Sequence, residues 1–225
     1  MSKLIKKIKL EYTITLLSGL HIGGSKENVE IGGIDLPVIK LTSQNNQPYI
    51  PGSSLRGKIR CLLEQSKGAN EVGIDDDVNK LFGYSEKDIP SRLIVRDAML
   101  TENSIKMLES CDNLDMPFTE NKFENTIDRK TGKAGSPRQI ERVPAGAQFK
   151  ATFIINVFEG DKVSEQDQRK LLQDGINLLQ ADYLGGSGSR GYGQVKFSGP
   201  AEKVMTENDN WKWKEVSNEN AKIDK

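Results

Sequence analysis

The chain has 225 residues, 36% of them apolar, and its 32 basic and 32 acidic side chains cancel. The length supports one domain with a sizeable core, and the neutral balance excludes a protein that holds nucleic acid by overall basicity, so any such role must come from local charge. His21 is the only histidine and Cys61 and Cys111 the only thiols, too few for a structural zinc centre of thiolates and imidazoles.

The N-terminal MSKLIKKIKLEYTI mixes polar with apolar residues where a signal segment would be continuously apolar, and no run reaches transmembrane length. The expectation is a cytoplasmic protein with reduced thiols and no membrane partner. Ile8, Leu10, Tyr12, Ile14 and Leu16 alternate with polar residues at the two-residue period of a strand with one buried face. The segment 18–50 carries five glycines in SGLHIGGS and EIGGID, too many for a regular helix or central strand, and reads as an irregular functional loop. Pro51-Gly52-Ser53-Ser54 supplies a turn and a hydroxyl cap, after which Leu55, Ile59, Leu62 and Leu63 predict a helix over 54–65.

An insertion at 66–91 is acidic, with six acids against Lys80 and Lys87 between positions 71 and 88. A strand is predicted over 92–100. The insertion 111–146 has few aliphatic residues and holds Pro117, Gly132, Gly135, Pro137 and Pro144, so it should bury little and project from the body. It is also basic: seven basic residues face three acids between Lys122 and Lys150. This asymmetry can steer a polyanion to one face, and it is equally compatible with ordinary solvated surface. Phe149, Ala151, Phe153, Ile155 and Val157 predict a strand over 148–158. Ser164-Glu165-Gln166-Asp167 resembles a capping box and leads into the helical stripe Leu171, Leu172, Ile176, Leu179 and Tyr183, ending by Gly185. A glycine-rich turn, a strand over 194–197 and a largely polar, partly ordered tail at 201–225 follow. Strand, loop, helix, strand, insertion, strand, helix, strand is an α+β order compatible with one ferredoxin-like domain over 1–225.

The strongest local signal is the run Gly185-Gly186-Ser187-Gly188-Ser189-Arg190-Gly191-Tyr192-Gly193 after that helix. Glycine lets backbone N–H groups approach a phosphate closely and Arg190 adds a charge-assisted contact, whereas a plain helix-to-strand turn would need only two glycines. Gly186, Gly188 and Gly191 match a dinucleotide fingerprint, but that motif belongs between a strand and a helix, and here the order is reversed. In PGSSLRGKIR, two serines and the N–H groups of a helix start make an anion site beside Arg56, Lys58 and Arg60, although many soluble helices share these features. His21 can serve as a general base or pack as an ordinary hydrogen-bonding residue. Asp35 in GGIDLPV can act chemically or simply cap a turn.

Together SGLHIGGS, IGGIDLPVIK, PYIPGSSLRGKIRCLLE, LFGYSEKD, KFENTIDRKTGKAGSPRQIERVPAG and DYLGGSGSRGYGQVKF resemble one family. It is the repeated backbone subunit of the type III-A (Csm) CRISPR effector complex, in the RAMP superfamily. The resemblance covers nearly everything from Leu16 to Phe197. It implies a modified ferredoxin-like, RRM-related domain with long insertions. One insertion is a thumb-like β-hairpin, here 111–146, with Arg129 near its tip and 123–127 and 138–142 on its sides. It implies guide-RNA contacts at His21, Ser53, Ser54, Arg56, Lys58, Gly186, Ser187, Gly188 and Arg190. The catalytic residue it implies is Asp35, cutting a single-stranded target RNA paired to the CRISPR guide RNA.

The implied partners are copies of the same chain in a helical filament and other Csm subunits. The implied cofactor is a divalent cation, Mg2+ or Mn2+, for which Asp35 is the candidate protein ligand. One carboxylate is too few for a protein-built two-metal site, which favours attack by the RNA's own 2'-hydroxyl. Two other readings remain at this level: a non-catalytic guide-binding scaffold, and a metal-independent guide-processing nuclease using His21.

Overall fold

The computed structural model describes residues 2–24, 35–114, 116–161 and 163–216, so positions 25–34 of the glycine-rich loop and the tail beyond Val216 lie outside the described residues. The elements are, in chain order, β1 (Leu4–Leu16), β2 (Lys40–Leu41), β3 (Gln47–Ile50), α1 (Gly52–Ser66), α2 (Asp76–Phe82), β4 (Leu93–Val95), β5 (Ala98–Leu100) and α3 (Glu102–Glu109). They continue with β6 (Glu120–Glu124), β7 (Arg138–Arg142), β8 (Gln148–Phe158), α4 (Glu165–Ala181), β9 (Val195–Thr206) and β10 (Lys214–Glu215).

The alternation in β1 works as its period predicts, because Ile8, Leu10, Tyr12, Ile14 and Leu16 are all buried. β8 runs antiparallel beside it and buries Phe149, Ala151, Phe153, Ile155 and Val157 on the same core. β9 flanks the other edge of β1, and the sheet order is β10-β9-β1-β8-β5-β3-β2, with β4 also paired to β8. β1, β4 with β5, β8 and β9 act as first to fourth strands, and α1 and α4 are the crossovers. Their 4-1-3-2 antiparallel order is the ferredoxin-like arrangement that the sequence pattern suggests. The helices bury Leu55, Ile59 and Leu63 of α1 and Leu172, Ile176 and Leu179 of α4, each contributing about 2 kcal/mol on full burial.

Several expectations need correction. The N-cap of α1 is Pro51, with no side-chain cap bond, so Ser53 and Ser54 lie inside the first turn instead of capping it. The strand expected over 92–100 is two strands, because the chain turns at Arg96 and Asp97 and the Asp97 carboxylate takes the Gly52 N–H at 2.7 Å. The acidic insertion holds α2, capped by Asp75, and α3, capped by Thr101, follows β5. The insertion 111–146 projects only in part: its root buries Phe118, Thr119, Ile140, Glu141 and Val143, and 125–137 is the exposed remainder. β9 runs six residues into the expected tail, to Thr206, and pairs there with β10.

The two helices touch where α4 has no side chain. A Cβ on Gly175 would meet Ile59 Cγ2 at 2.5 Å, whereas one on Gly57, in the exposed middle of α1, would meet nothing within 4 Å. Gly175→Ala should therefore cost about 1–3 kcal/mol by overpacking, while Gly57→Ala should add about 0.5–1 kcal/mol through helix propensity. Urea denaturation of both variants checks the pair, and equal effects of the same sign would contradict this packing.

Candidate nucleic-acid interface

Strand β7 gathers the loops that carry the motifs. Asp35 is exposed, and its Oδ2 accepts from Gln139 N at 2.8 Å. The chain then runs beside β7, with Leu36 N donating to Gln139 O at 3.3 Å and Glu141 N donating to Leu36 O at 3.1 Å. The loop after β1 joins from another direction, since Leu20 and Val143 exchange both backbone hydrogen bonds. His21 is buried, with Nδ1 2.7 Å from the Glu141 carbonyl oxygen. A carbonyl only accepts, so Nδ1 carries the hydrogen and Nε2 is left as the ring's other site. Asp35 and His21 are thus tied to β7 two residues apart, about 7 Å along the strand.

The Glu141 side chain fixes this junction from below. Its carboxylate is fully buried and takes the Thr119 hydroxyl at 2.6 Å, the Lys40 ammonium at 2.5 Å and the Val38 N–H at 2.9 Å. The sequence reading counts Glu141 only as one acid in a basic block, because its partners lie far away in sequence.

The glycine-rich loop closes a second side. Gly186 N donates to His21 O at 2.8 Å, which joins this loop to the first. Ser187 has φ 58°, and Gly188 must lack a side chain because a Cβ there would meet the Tyr183 ring at 1.9 Å. Some of the glycines therefore serve packing. Arg190 is exposed and donates from Nη1 to Glu124 Oε2 at 2.9 Å, across to the root of the hairpin. Tyr192, buried in this loop, donates its hydroxyl to Glu124 Oε1 at 2.8 Å, while Lys122 and Arg142 lie 4.4 and 5.2 Å from its ring. Burial, helped by Glu124, pushes the Tyr192 hydroxyl up to about 12. Burial alone would raise the Glu124 carboxyl, but hydrogen bonds from Tyr192, Arg190 and Lys122 outweigh it and hold the group below its ordinary range. Glu124 is therefore charged at neutral pH.

Between loop and hairpin lies a groove of about 460 Å3 lined by Glu124, Asn125, Thr126, Ile127, Arg138 and Arg190. Another hollow, of about 360 Å3, lies among α1, α2 and α4, but its Lys67 and Lys80 already pair with Asp77 and none of the motif residues line it. Lys58 reaches the glycine-rich loop, with Nζ 2.6 Å from Asp182 and 3.9 Å from the centre of the Tyr183 ring that packs on Gly188. Arg56 turns away from this group. Its guanidinium bonds the Phe82 carbonyl and lies 5.6 Å from the Phe82 ring, tying α1 to α2. Burial lowers its pKa from the ordinary arginine value. Ser53 is exposed in the first turn of α1 and Ser54 half-buried. Arg129 is exposed in the hairpin's tip, where Asp128 Oδ1 takes the N–H groups of Lys130 and Thr131.

No cluster of three or more His, Cys, Asp or Glu able to hold a metal occurs among the described residues. Asp35 offers one hard oxygen, Oδ1, which has no protein partner among the described residues. That donor set fits a divalent cation whose remaining ligands are water and RNA phosphates, the usual way Mg2+ is held. No described helix is long and apolar enough to cross a membrane.

Comparison with known proteins places the chain in a family. The model of the RAMP superfamily matches residues 13–196. A Streptococcus thermophilus protein named CRISPR system Cms endoribonuclease Csm3 is 45% identical over 198 residues, spanning 85% of this chain and 87% of that one. The protein of the same name from Methanocaldococcus jannaschii is 43% identical over 206 residues, spanning 85% and 78%. The crystal structure of a Csm3-Csm4 subcomplex in the type III-A CRISPR-Cas interference complex contains a similar chain. It has a TM-score of 0.61 and 30% identity, covering 95% of this protein and 90% of that chain. The chain belongs to the RAMP superfamily and, within it, to the Csm3 family.

Glu141→Gln removes the charge that faces Lys40 and leaves a donor facing donors. It should cost about 2 kcal/mol in urea denaturation, the scale of a charged hydrogen bond, and speed hydrogen exchange at Val38. A stability change under about 0.5 kcal/mol would remove Glu141 from its place as the junction's anchor.

Proposed function

We propose that this protein is the guide-RNA-binding backbone subunit of a type III-A CRISPR effector complex and an endoribonuclease that cuts target RNA paired to the guide. The observation that carries the cleavage reading is Asp35: an exposed carboxylate beside the hairpin strand β7, with one oxygen fixed by Gln139 and the other without a partner among the described residues. Lys58, Gly186, Ser187, Gly188 and Arg190 form one side of the guide path, with His21 holding the loop from beneath. Ser53 and Ser54 add hydroxyls at the start of α1, and Arg129 meets RNA from the hairpin's tip. Arg56, engaged with Phe82, supports the path by positioning α2. The guide runs through successive copies stacked head to tail, since an interface that does not close on itself builds an open helical array. Other Csm subunits complete the assembly, and the cytoplasm is its compartment.

Cleavage proceeds by attack of the target's 2'-hydroxyl on the adjacent phosphorus. The new O–P bond forms as the bond to the 5'-oxygen of the next nucleotide breaks, leaving a cyclic phosphate and, once the departing oxygen takes a proton from water, a 5'-hydroxyl. The free Asp35 oxygen accepts the 2'-hydroxyl proton, and the hairpin holds the strand splayed so that the attacking oxygen, phosphorus and leaving oxygen align. In the alternative role for that oxygen, Asp35 with RNA phosphates would hold a divalent cation, Mg2+ or Mn2+, which would supply neutralisation of charge at the phosphate. The buried His21, with Nδ1 committed to a backbone carbonyl, is placed to tie loops together.

Asp35→Asn in the assembled complex should lower target cutting by about 100-fold or more, within the range of a lost acid–base group, while target binding stays unchanged. Unchanged cutting would leave a guide-binding scaffold. A single 2'-deoxynucleotide at the scissile position should block that cut, and persistence of the cut would point to attack by water. Chelation of divalent cations should stop cleavage, and continued cutting would refute the metal requirement.

A further inference from the structure

Arg190, the cation that the proposed function assigns to guide RNA, is already paired. Its partner, Glu124, belongs to β6 and comes from the hairpin, 66 positions away in sequence. Tyr192 holds the same carboxylate from the other oxygen, and Lys122 lies 3.5 Å from it. We infer that Glu124 is an electrostatic latch that occupies the phosphate site at Arg190 in the free subunit, so that isolated copies hold RNA weakly until a guide displaces it.

The geometry supports this in three ways. Glu124 brings a carboxylate, which resembles a phosphate in charge and in oxygen geometry, to the exposed guanidinium of the glycine-rich loop. It also lines the groove that Arg138 and Arg190 line, so a phosphate entering there meets a negative charge beside the two positive ones. Finally, Glu124 is the last residue of β6, directly before the exposed part of the hairpin, so the pair also fastens that part to the glycine-rich loop. Glu124 takes only one of the five guanidinium N–H donors, which leaves an edge on which an incoming phosphate can begin to exchange with it.

A latch of this kind suits a subunit that acts in rows. A stray RNA touching one copy gains too little to displace Glu124, whereas a guide spanning several copies adds the gain of each site at high effective concentration. The device keeps free copies from covering unrelated RNA without blocking assembly.

The inference rests on the proposed RNA contact at Arg190, and the test separates the two. Fluorescence anisotropy measures binding of a labelled single-stranded RNA of unrelated sequence to the purified full chain. Glu124→Gln should bind about threefold to fivefold tighter, the upper range of an exposed ion pair. Arg190→Ala should bind more weakly than wild type, and adding Glu124→Gln to it should bring no gain. No tightening in Glu124→Gln, or a full gain that persists without Arg190, would overturn the latch. Wild-type affinity in Arg190→Ala would instead overturn the RNA contact itself. Should Glu124→Gln fail to fold by circular dichroism, Tyr192→Phe, which removes only the second tether, answers the same question. About twofold tighter binding is expected there, and unchanged affinity refutes the latch.

Discussion

The buried Glu141 carboxylate is the constraint on which the site depends. A fully buried carboxylate without partners would cost several kcal/mol, and here Thr119, Lys40 and Val38 satisfy it together. Because those partners come from the root of the hairpin and from the loop that follows Asp35, satisfying one charge fixes both segments against β7. The same residue's carbonyl holds His21, whose own carbonyl holds Gly186. Three separate stretches of chain thereby acquire one geometry from one residue.

That arrangement explains how a chain with no net charge can present a surface to a polyanion. Its cations at the site are few and individually positioned: Lys58 by Asp182, Arg190 by Glu124, and Lys122 and Arg142 against the buried Tyr192 ring. Lys58, Lys122 and Arg142 are thereby oriented in the free chain, which leaves less side-chain entropy to be lost on meeting a polyanion. The proposed chemistry asks very little of the protein: one exposed carboxylate, Asp35, held by the Gln139 N–H of β7.

How much of this was legible in the sequence varied with the range of the interaction. β1, β8 and α4 were readable because their periodicity is local and their apolar faces are complete. β9 was readable only at its start: past Phe197 the buried alternation stops, and Gly199–Pro200 interrupts the pattern that pairing with β1 and β10 sustains. α3 is eight residues long, with too few turns to show a stripe. The glycine-rich loop announced itself by composition, and Asp35 was picked out by resemblance alone. Glu141, Glu124 and Tyr192 were invisible because the side-chain hydrogen bonds that define them, from Thr119 and Val38 to Glu141 and from Tyr192 to Glu124, span between 22 and 103 positions.

On the proposed reading, every copy of the chain carries a cutting site beside its own β7, repeated along one guide. The most direct measurement is a sequencing gel of end-labelled target RNA cut by the fully assembled complex. The account predicts a ladder of cuts at one constant interval, each vanishing together when all copies carry Asp35→Asn. A single cut, or an irregular pattern that survives the substitution, would contradict it.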